Sequence, residues 1–333
     1  MHRLLRSFAA LTVVLALCGS QAANAQSPKA LKKATLMLNW YPYGEHAAFY
    51  YGLQKGFFKD EGIDLTIQPG GGSAKTVQAV AAGQIQFGWA DAPSVIKNVS
   101  AGASVKSIGV FLQTTPASIE YFATQNIHKP SDLKGKTVAV TPGDALFQTF
   151  PAFLAANKLS PDDVHQVNID PAGKLAALIE GKVDTLIGFF NDQAPTIEQR
   201  SGKKVDVLKF ADHGVNFYGT GVVVSDDLLK SDAPLAKAFM KATIRSWEEA
   251  EKHRADAVAA EETLAEKAPP KDVLAHQFDL TLSLLHTPGS KGKKPGINNA
   301  KDWQNTIDLF AKYSEIKNAG PPSAYWDGSI AGS

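Results

Sequence analysis

Short apolar runs alternate along the chain with stretches whose apolar positions return every three or four residues. The runs ATLMLNW, IDLTIQP, FGWAD, VKSIGVFLQ, TVAVTP, VHQVNID, DTLIGFF, VDVLKF and GTGVVVS read as strands. Between them, spacings such as Val77, Val80 and Ala81 predict amphipathic helices that turn one face to a sheet. Strand and helix in alternation predict an α/β fold with mostly parallel strands. From Pro234 onward the pattern is helical only: LAKAFMKATIRSWEEAEKH and ADAVAAEETLAEKA are polar-faced helices, and GSKGKKPG is a flexible basic turn.

Two segments repeat one plan. GGGSAKTVQAVAAGQIQFGWADAP and DPAGKLAALIEGKVDTLIGFFNDQAP each run from a turn into a helix, pass a glycine, and enter a strand followed by a polar-Ala-Pro ending. With Gly83 set on Gly181, Val77, Val80 and Ala81 fall on Leu175, Leu178 and Ile179. The repeat predicts two similar α/β lobes. Open α/β sheets bind ligands outside the carboxyl ends of their strands, so residues 70–73 and 90–94 are expected to face residues 170–173 and 190–193 across a cleft.

The first 25 residues read as an export signal and not as structure. MHRLLR is a basic head, AALTVVLALC is an apolar run too short to span a membrane, and Ala23-Asn24-Ala25 places the cut after Ala25. The protein is therefore expected in the periplasm. Cys18 raises the rival reading of a lipoprotein, although such cysteines usually follow a small residue and here Leu17 precedes. Removing the signal takes Arg3, Arg6 and the single cysteine, which leaves 308 of 333 residues with 32 basic and 33 acidic side chains. A mature chain without thiols has no disulfide or thiolate metal site. Near-neutral charge without a long basic run argues against a nucleic-acid partner. No later segment has the roughly 18 consecutive apolar residues of a membrane span, and the length predicts about two domains.

PGGGSAKT superficially resembles a phosphate-binding loop but fails the G-x-x-x-x-G-K-[ST] spacing, since Ala74 precedes Lys75. Two readings of this turn stay open. Either the N–H groups of Gly72, Ser73 and Ala74 meet a polar or anionic ligand group, or Ser73 caps a helix start. His46 follows Glu45, but no histidine comes four residues later, so the zinc-protease spacing is missing and no metal or cofactor site is expected. G-x-S-x-G is absent as well, which leaves no hydrolase elbow. Taken by itself, His46 is either a capping and packing group or a ligand contact. Eight aromatic side chains fall in the nineteen positions from Trp40 to Phe58. Phe49, Tyr50, Leu53 and Phe57 suit the buried face of a helix. Trp40 and Tyr43 directly follow the first strand's carboxyl end, where a flat ring can stack on or cover a ligand.

N-W-x-P with a histidine shortly after, KGFFKDEGIDL, the glycine turn, AAGQIQFGWADAPSV, SDLKGKTVAV and EGKVDTLIGF together resemble the substrate-binding proteins of ABC importers. The branch in question includes thiamine-pyrimidine precursor binders and yeast-type pyrimidine synthases, with nitrate, taurine and alkanesulfonate binders as further relatives. The resemblance implies the type II periplasmic-binding fold: two α/β lobes that close on a ligand cleft by hinge motion, with a helical C-terminal extension. Lobe 1 would comprise residues 29–118 and 219–333 and lobe 2 residues 119–218, with crossings near 118–124 and 217–222. Trp40 and His46 match the family's ligand-facing tryptophan and histidine, and Gly72, Ser73 and Asp91 match other cleft contacts. Phe190, Asn191, Asp192 and Gln193 stand where pyrimidine binders often carry a glutamate. Either Asp192 takes its place, or Gln193 changes the donor and acceptor pattern.

The resemblance implies a monomeric receptor, without catalysis, that delivers a small, heteroaromatic, pyrimidine-like solute to an inner-membrane permease and its ATPase. A receptor for a sulfonate- or nitrate-like anion or an aromatic acid is the alternative, weakened by the lack of arginine in the expected cleft segments. A pyrimidine synthase, which consumes a histidine at the place of His46, would need the cysteine-rich iron segment that this chain lacks.

Overall fold

The computed structural model describes residues 30–332 except Gly143, Pro171, Ala172, Ser314, Glu315, Lys317 and Asn318. The expected export signal, its cut after Ala25 and Cys18 lie outside the described residues. The strands are β1 (Lys32–Met37), β2 (Ile63–Gln68), β3 (Phe87–Asp91), β4 (Val105–Val110), β5 (Ala117–Phe122), β6 (Thr137–Val140), β7 (His165–Asn168), β8 (Thr185–Phe189), β9 (Val205–Lys209) and β10 (Thr220–Ser225). The helices of the first half are α1 (Ala47–Gln54), α2 (Phe57–Asp60), α3 (Ser73–Ala81), α4 (Ala92–Ser100), α5 (Ala145–Ala156) and α6 (Lys174–Ile179). Then follow α7 (Gln193–Ser201), α8 (Asp226–Lys252), α9 (Arg254–Leu264), α10 (Lys271–Leu282), α11 (Ala300–Tyr313) and α12 (Pro322–Tyr325).

All but one of these strands coincide with an apolar run of the sequence. The exception is β5, ASIEYF, where Glu120 interrupts the run and hides a strand that is buried along its whole length. The expected first crossing at 118–124 is therefore this strand, and the chain changes sheets at 111–116 instead. It returns between β9 and β10, at 210–219. The two crossing segments hold each other through Gly219 N–H to Leu112 O at 2.8 Å and Thr115 N–H to Asn216 Oδ1 at 3.1 Å.

Two five-stranded sheets result, in the orders β2-β1-β3-β10-β4 and β7-β6-β8-β5-β9. The fourth strand of each order, β10 or β5, runs antiparallel to both neighbours, so the parallel expectation holds for the remaining strands. The repeat is visible in this plan: α3 leads into β3 and α6 into β8, and each of those strands is third in its sheet.

Apolar faces bury against these sheets. Phe87 stacks on Phe239 of α8 with ring centroids 3.8 Å apart, while Phe49 meets Trp89 edge-on at 4.9 Å. Each such side chain stabilises the fold by roughly 1.5–3 kcal/mol through burial. Phe49, Tyr50 and Phe57 are core residues, with Leu53 packed against them, as their helical spacing predicts. The helical C-terminal extension divides: α8 and α9 pack on α1, whereas α11 lies against α4 and α5 and puts Trp303, Ile307 and Phe310 among the second sheet's apolar side chains.

Candidate functional site

The carboxyl ends of β1, β3 and β8 converge on one pocket. Asn39, Trp40 and Tyr43 follow β1, Gly72 and Ser73 start α3, and Asp91 ends β3. The opposite wall carries Asp144 and Leu146 at the start of α5, Phe189 at the end of β8, and Asp192 and Gln193 at the start of α7. The unfilled space is about 400 Å³ including its open mouth.

Gly72 stands at a φ of 114°, a left-handed value that favours glycine, and its N–H donates to Asn39 O at 2.8 Å. Of the two readings of the glycine turn, the serine cap is not realised, because α3 begins at Ser73 and Gly72 holds the cap position. The anion reading loses the Gly72 N–H to Asn39. Ser73 Oγ is engaged with the Asp91 carboxylate and also accepts from Asp91 N–H at 3.2 Å.

The pocket is acidic on both walls. Burial pushes the Asp91 carboxyl up to about 7, against the hydrogen bond from Ser73 that favours its charge. Burial likewise pushes Asp192 up to about 7, against hydrogen bonding from Tyr41, whose hydroxyl lies 3.0 Å from both carboxylate oxygens. Gln277 Nε2 of α10 donates to Asp192 O at 2.9 Å and to Oδ1 at 3.2 Å. Asp144 N-caps α5 through Leu146 N–H at 3.1 Å, and its other oxygen is 3.5 Å from Lys174 Nζ. Lys174 is itself buried and donates to Ile187 O at 2.9 Å. Among the described residues that line the pocket there is no lysine, arginine or histidine.

Three residues expected at the ligand lie behind the wall instead. His46 is fully buried: its Nδ1 accepts from Tyr43 N–H at 3.3 Å, so Nε2 carries the proton and donates to Asn39 Oδ1 at 2.9 Å. Burial pushes this imidazole down to about 3 and keeps it neutral. It orients Asn39 and does not line the pocket. Asn191 is also fully buried, donating to Glu45 Oε2 at 3.1 Å and Thr281 Oγ1 at 2.9 Å. Phe190 belongs to the core, with Lys209 Nζ 4.3 Å from its ring centre. Those two side chains serve packing and bracing, while Phe189, Asp192 and Gln193 take the cleft side.

Glu45 forms the centre of that bracing. Tyr43 OH donates to Oε2 at 2.6 Å and Trp89 Nε1 to Oε1 at 2.7 Å, while Asn191 reaches it from the other lobe. Burial raises its carboxyl above the ordinary range, and these donors pull it back.

Sequence reasoning missed Asn39, Tyr41, Asp144, Leu146 and Phe189. Asp144 and Leu146 follow the strand TVAVTP directly, so the strand-end rule applied to every strand, and not to the repeat alone, would have found them.

Two sheets of one order, paired crossings and a polar cleft between facing strand ends define a two-lobed protein of the periplasmic-binding fold. The alkanesulfonate-binding protein SsuA of Xanthomonas axonopodis pv. citri shares this fold with a TM-score of 0.67 at 17% identity, over 89% of this chain and 99% of that one. The chain belongs to the NMT1/THI5-like family, which it matches over residues 44–257. It is 25% identical over 250 residues to the formylaminopyrimidine-binding protein of Halalkalibacterium halodurans, covering 73% of this chain and 75% of the relative. It is 28% identical over 230 residues to the riboflavin-binding protein RibY of Chloroflexus aurantiacus, covering 67% of this chain and 63% of that one. Enzymes are among the relatives too: a 4-amino-5-hydroxymethyl-2-methylpyrimidine phosphate synthase of Legionella pneumophila is 25% identical over 215 residues, 64% of this chain and 67% of the enzyme.

Proposed function

We propose that this chain is the substrate-binding component of an ABC importer and that it captures a small, heteroaromatic, amino-bearing solute of pyrimidine type in the periplasm for delivery to a membrane permease. The observation that carries this reading is the chemistry of the cleft: carboxylates Asp91, Asp144 and Asp192 on both walls, aromatic rings of Trp40, Tyr43 and Phe189 between them, and no basic side chain among the described lining residues. Amino groups and protonated ring nitrogens are donors that match carboxylates, and a flat ring matches Trp40. The relatives named for binding formylaminopyrimidine and riboflavin support the same class of ligand.

A sulfonate, nitrate or aromatic carboxylate would place its charge beside three carboxyl groups, with no basic side chain among the described lining residues to balance it. The synthase reading requires a histidine available for chemistry, and His46 has both ring nitrogens engaged and is sealed from the pocket. Export is supported by the amino-terminal pattern.

Thermal unfolding with a panel of 4-aminopyrimidines, flavins, alkanesulfonates, nitrate and aromatic acids tests the reading. A ligand at a hundred times its Kd stabilises the native state by about 2.7 kcal/mol, so aminopyrimidines should raise Tm by several degrees and the anions should not. A clear shift with sulfonates and none with aminopyrimidines would overturn it.

A further inference from the structure

Glu120 has no part in the site described so far, yet it stands directly behind it. Ser118 and Glu120 share one face of β5, and Ser118 is paired with Gly188 of β8. The bare Cα of Gly188 leaves a gap: a Cβ there would meet Gln193 Oε1 at 2.1 Å and Glu120 Oε1 at 2.2 Å. Two atoms so close to one point are no more than 4.3 Å apart. Ser118 Oγ donates to Glu120 Oε1 at 3.2 Å, but Glu120 Oε2 and Gln193 Oε1 have no hydrogen-bond partner among the described residues. Glu120 is wholly buried, and Gln193 is buried except where it lines the pocket.

Two buried acceptor oxygens this close together, one of them without a donor, cost free energy unless a proton lies between them or the amide turns over. We propose that Glu120 is a positioning residue for ligand recognition: while it carries its proton it donates to Gln193 Oε1 and leaves Nε2 as a donor to the cleft, and once ionised it takes Nε2 and turns Oε1 to the ligand. Burial, with Asp192 adding to it, holds this carboxyl up at about 8, whereas Lys174 of α6 opposes the shift; Asp144 is paired with that lysine. At neutral pH the cleft therefore offers an acceptor, Asp192, beside a donor, Gln193 Nε2. That pair reads an edge with an amino group next to a ring nitrogen, so a glutamine here suits an amidine-like edge as long as Glu120 stands behind it.

This inference rests on the cleft being the ligand site, and its test separates the two. The probe is the side-chain amide of Gln193 in ligand-free mature protein, labelled with 15N at glutamine and assigned with Gln193→Asn. From pH 6.5 to 9.5 the signal should shift with a midpoint near 8, and Glu120→Gln, which is always a donor, should abolish that midpoint. A signal that does not move, or that moves equally in Glu120→Gln, overturns the proposal, and the wild-type titration decides even if the variant does not fold. Calorimetry with 4-aminopyrimidine is the second arm: wild-type affinity should fall about tenfold from pH 7 to 9, and Glu120→Gln affinity should stay level. If the amide titrates but 4-aminopyrimidine does not bind, Glu120 retains its role and the ligand reading fails; binding with a silent amide has the opposite meaning.

Discussion

The two walls of the cleft are built on the same sheet order, but they hold their carboxylates differently. Asp91 is braced from within its own lobe, by Ser73 at the start of α3 and by Thr220 of β10, whose Oγ1 lies 3.4 Å away. Asp192 is braced from across the cleft, by Tyr41 after β1 and by Gln277 of α10. Its neighbour Asn191 depends in the same way on Glu45 and Thr281. One half of the site is held within a single lobe, and the other is held by bonds that cross between the two. A ligand that bridges both walls then gains its differential affinity for the closed state from the second half, which is what a closure equilibrium responds to.

The largest test of this asymmetry is Glu45→Ala. It leaves the buried Trp89 Nε1 and Tyr43 OH without their acceptor and takes one of the two acceptors of Asn191 Nδ2, and we expect a loss of about 3–5 kcal/mol in urea unfolding. A loss below 1 kcal/mol would mean that Glu45 does not organise the two walls. Trp40→Ala comes next: it is half-buried and lines the pocket, so binding of an aminopyrimidine should weaken by about 2–3 kcal/mol with little change in Tm. Equal binding by calorimetry would remove Trp40 from the site.

The carboxylates offer a third test. Folding raises Asp192 from 3.8 to about 7, so between those values the native state binds a proton that the unfolded chain does not. That contribution to stability is full at acid pH and is lost as pH rises through 7. Asp192→Asn should therefore gain roughly 1–3 kcal/mol relative to wild type between pH 5 and 8, measured by unfolding at each pH. A pH-independent difference would show that the carboxyl is not perturbed. The smallest and sharpest test pairs Tyr41→Phe with Ser73→Ala. Tyr41→Phe removes the hydrogen bond to Asp192, and Ser73→Ala removes the one to the Asp91 carboxylate together with the one from Asp91 N–H, each bond worth about 0.5–1.5 kcal/mol, but only Tyr41→Phe should shift small-angle scattering of the ligand-free protein toward an open form.

Most strands were legible because they lie in apolar runs, β5 excepted, and the repeat placed Asp91 and Asp192 at matching strand ends. Trp40 and Tyr43 were legible for the same reason. His46, Phe190 and Asn191 were not separable from true lining residues, since a strand end locates a turn but not the direction in which each side chain points. Glu120 escaped for a different cause. A carboxylate inside a buried strand breaks the pattern by which strands are found, and its meaning comes from Gly188 and Gln193, which are distant in sequence and adjacent in space.

The interleaving of the two sheets also sets an order of assembly. Strands β5 to β9 form one uninterrupted segment, whereas the slot between β3 and β4 is filled by β10, the last strand to be synthesised. Joining distant strands costs closure entropy that grows only slowly with the length between them, so the penalty falls on timing more than on final stability. Until β10 arrives, β3 and β4 present unpaired apolar edges to any passing chain. The lobe that braces Asp91 from within is thus the one whose sheet waits for its last strand.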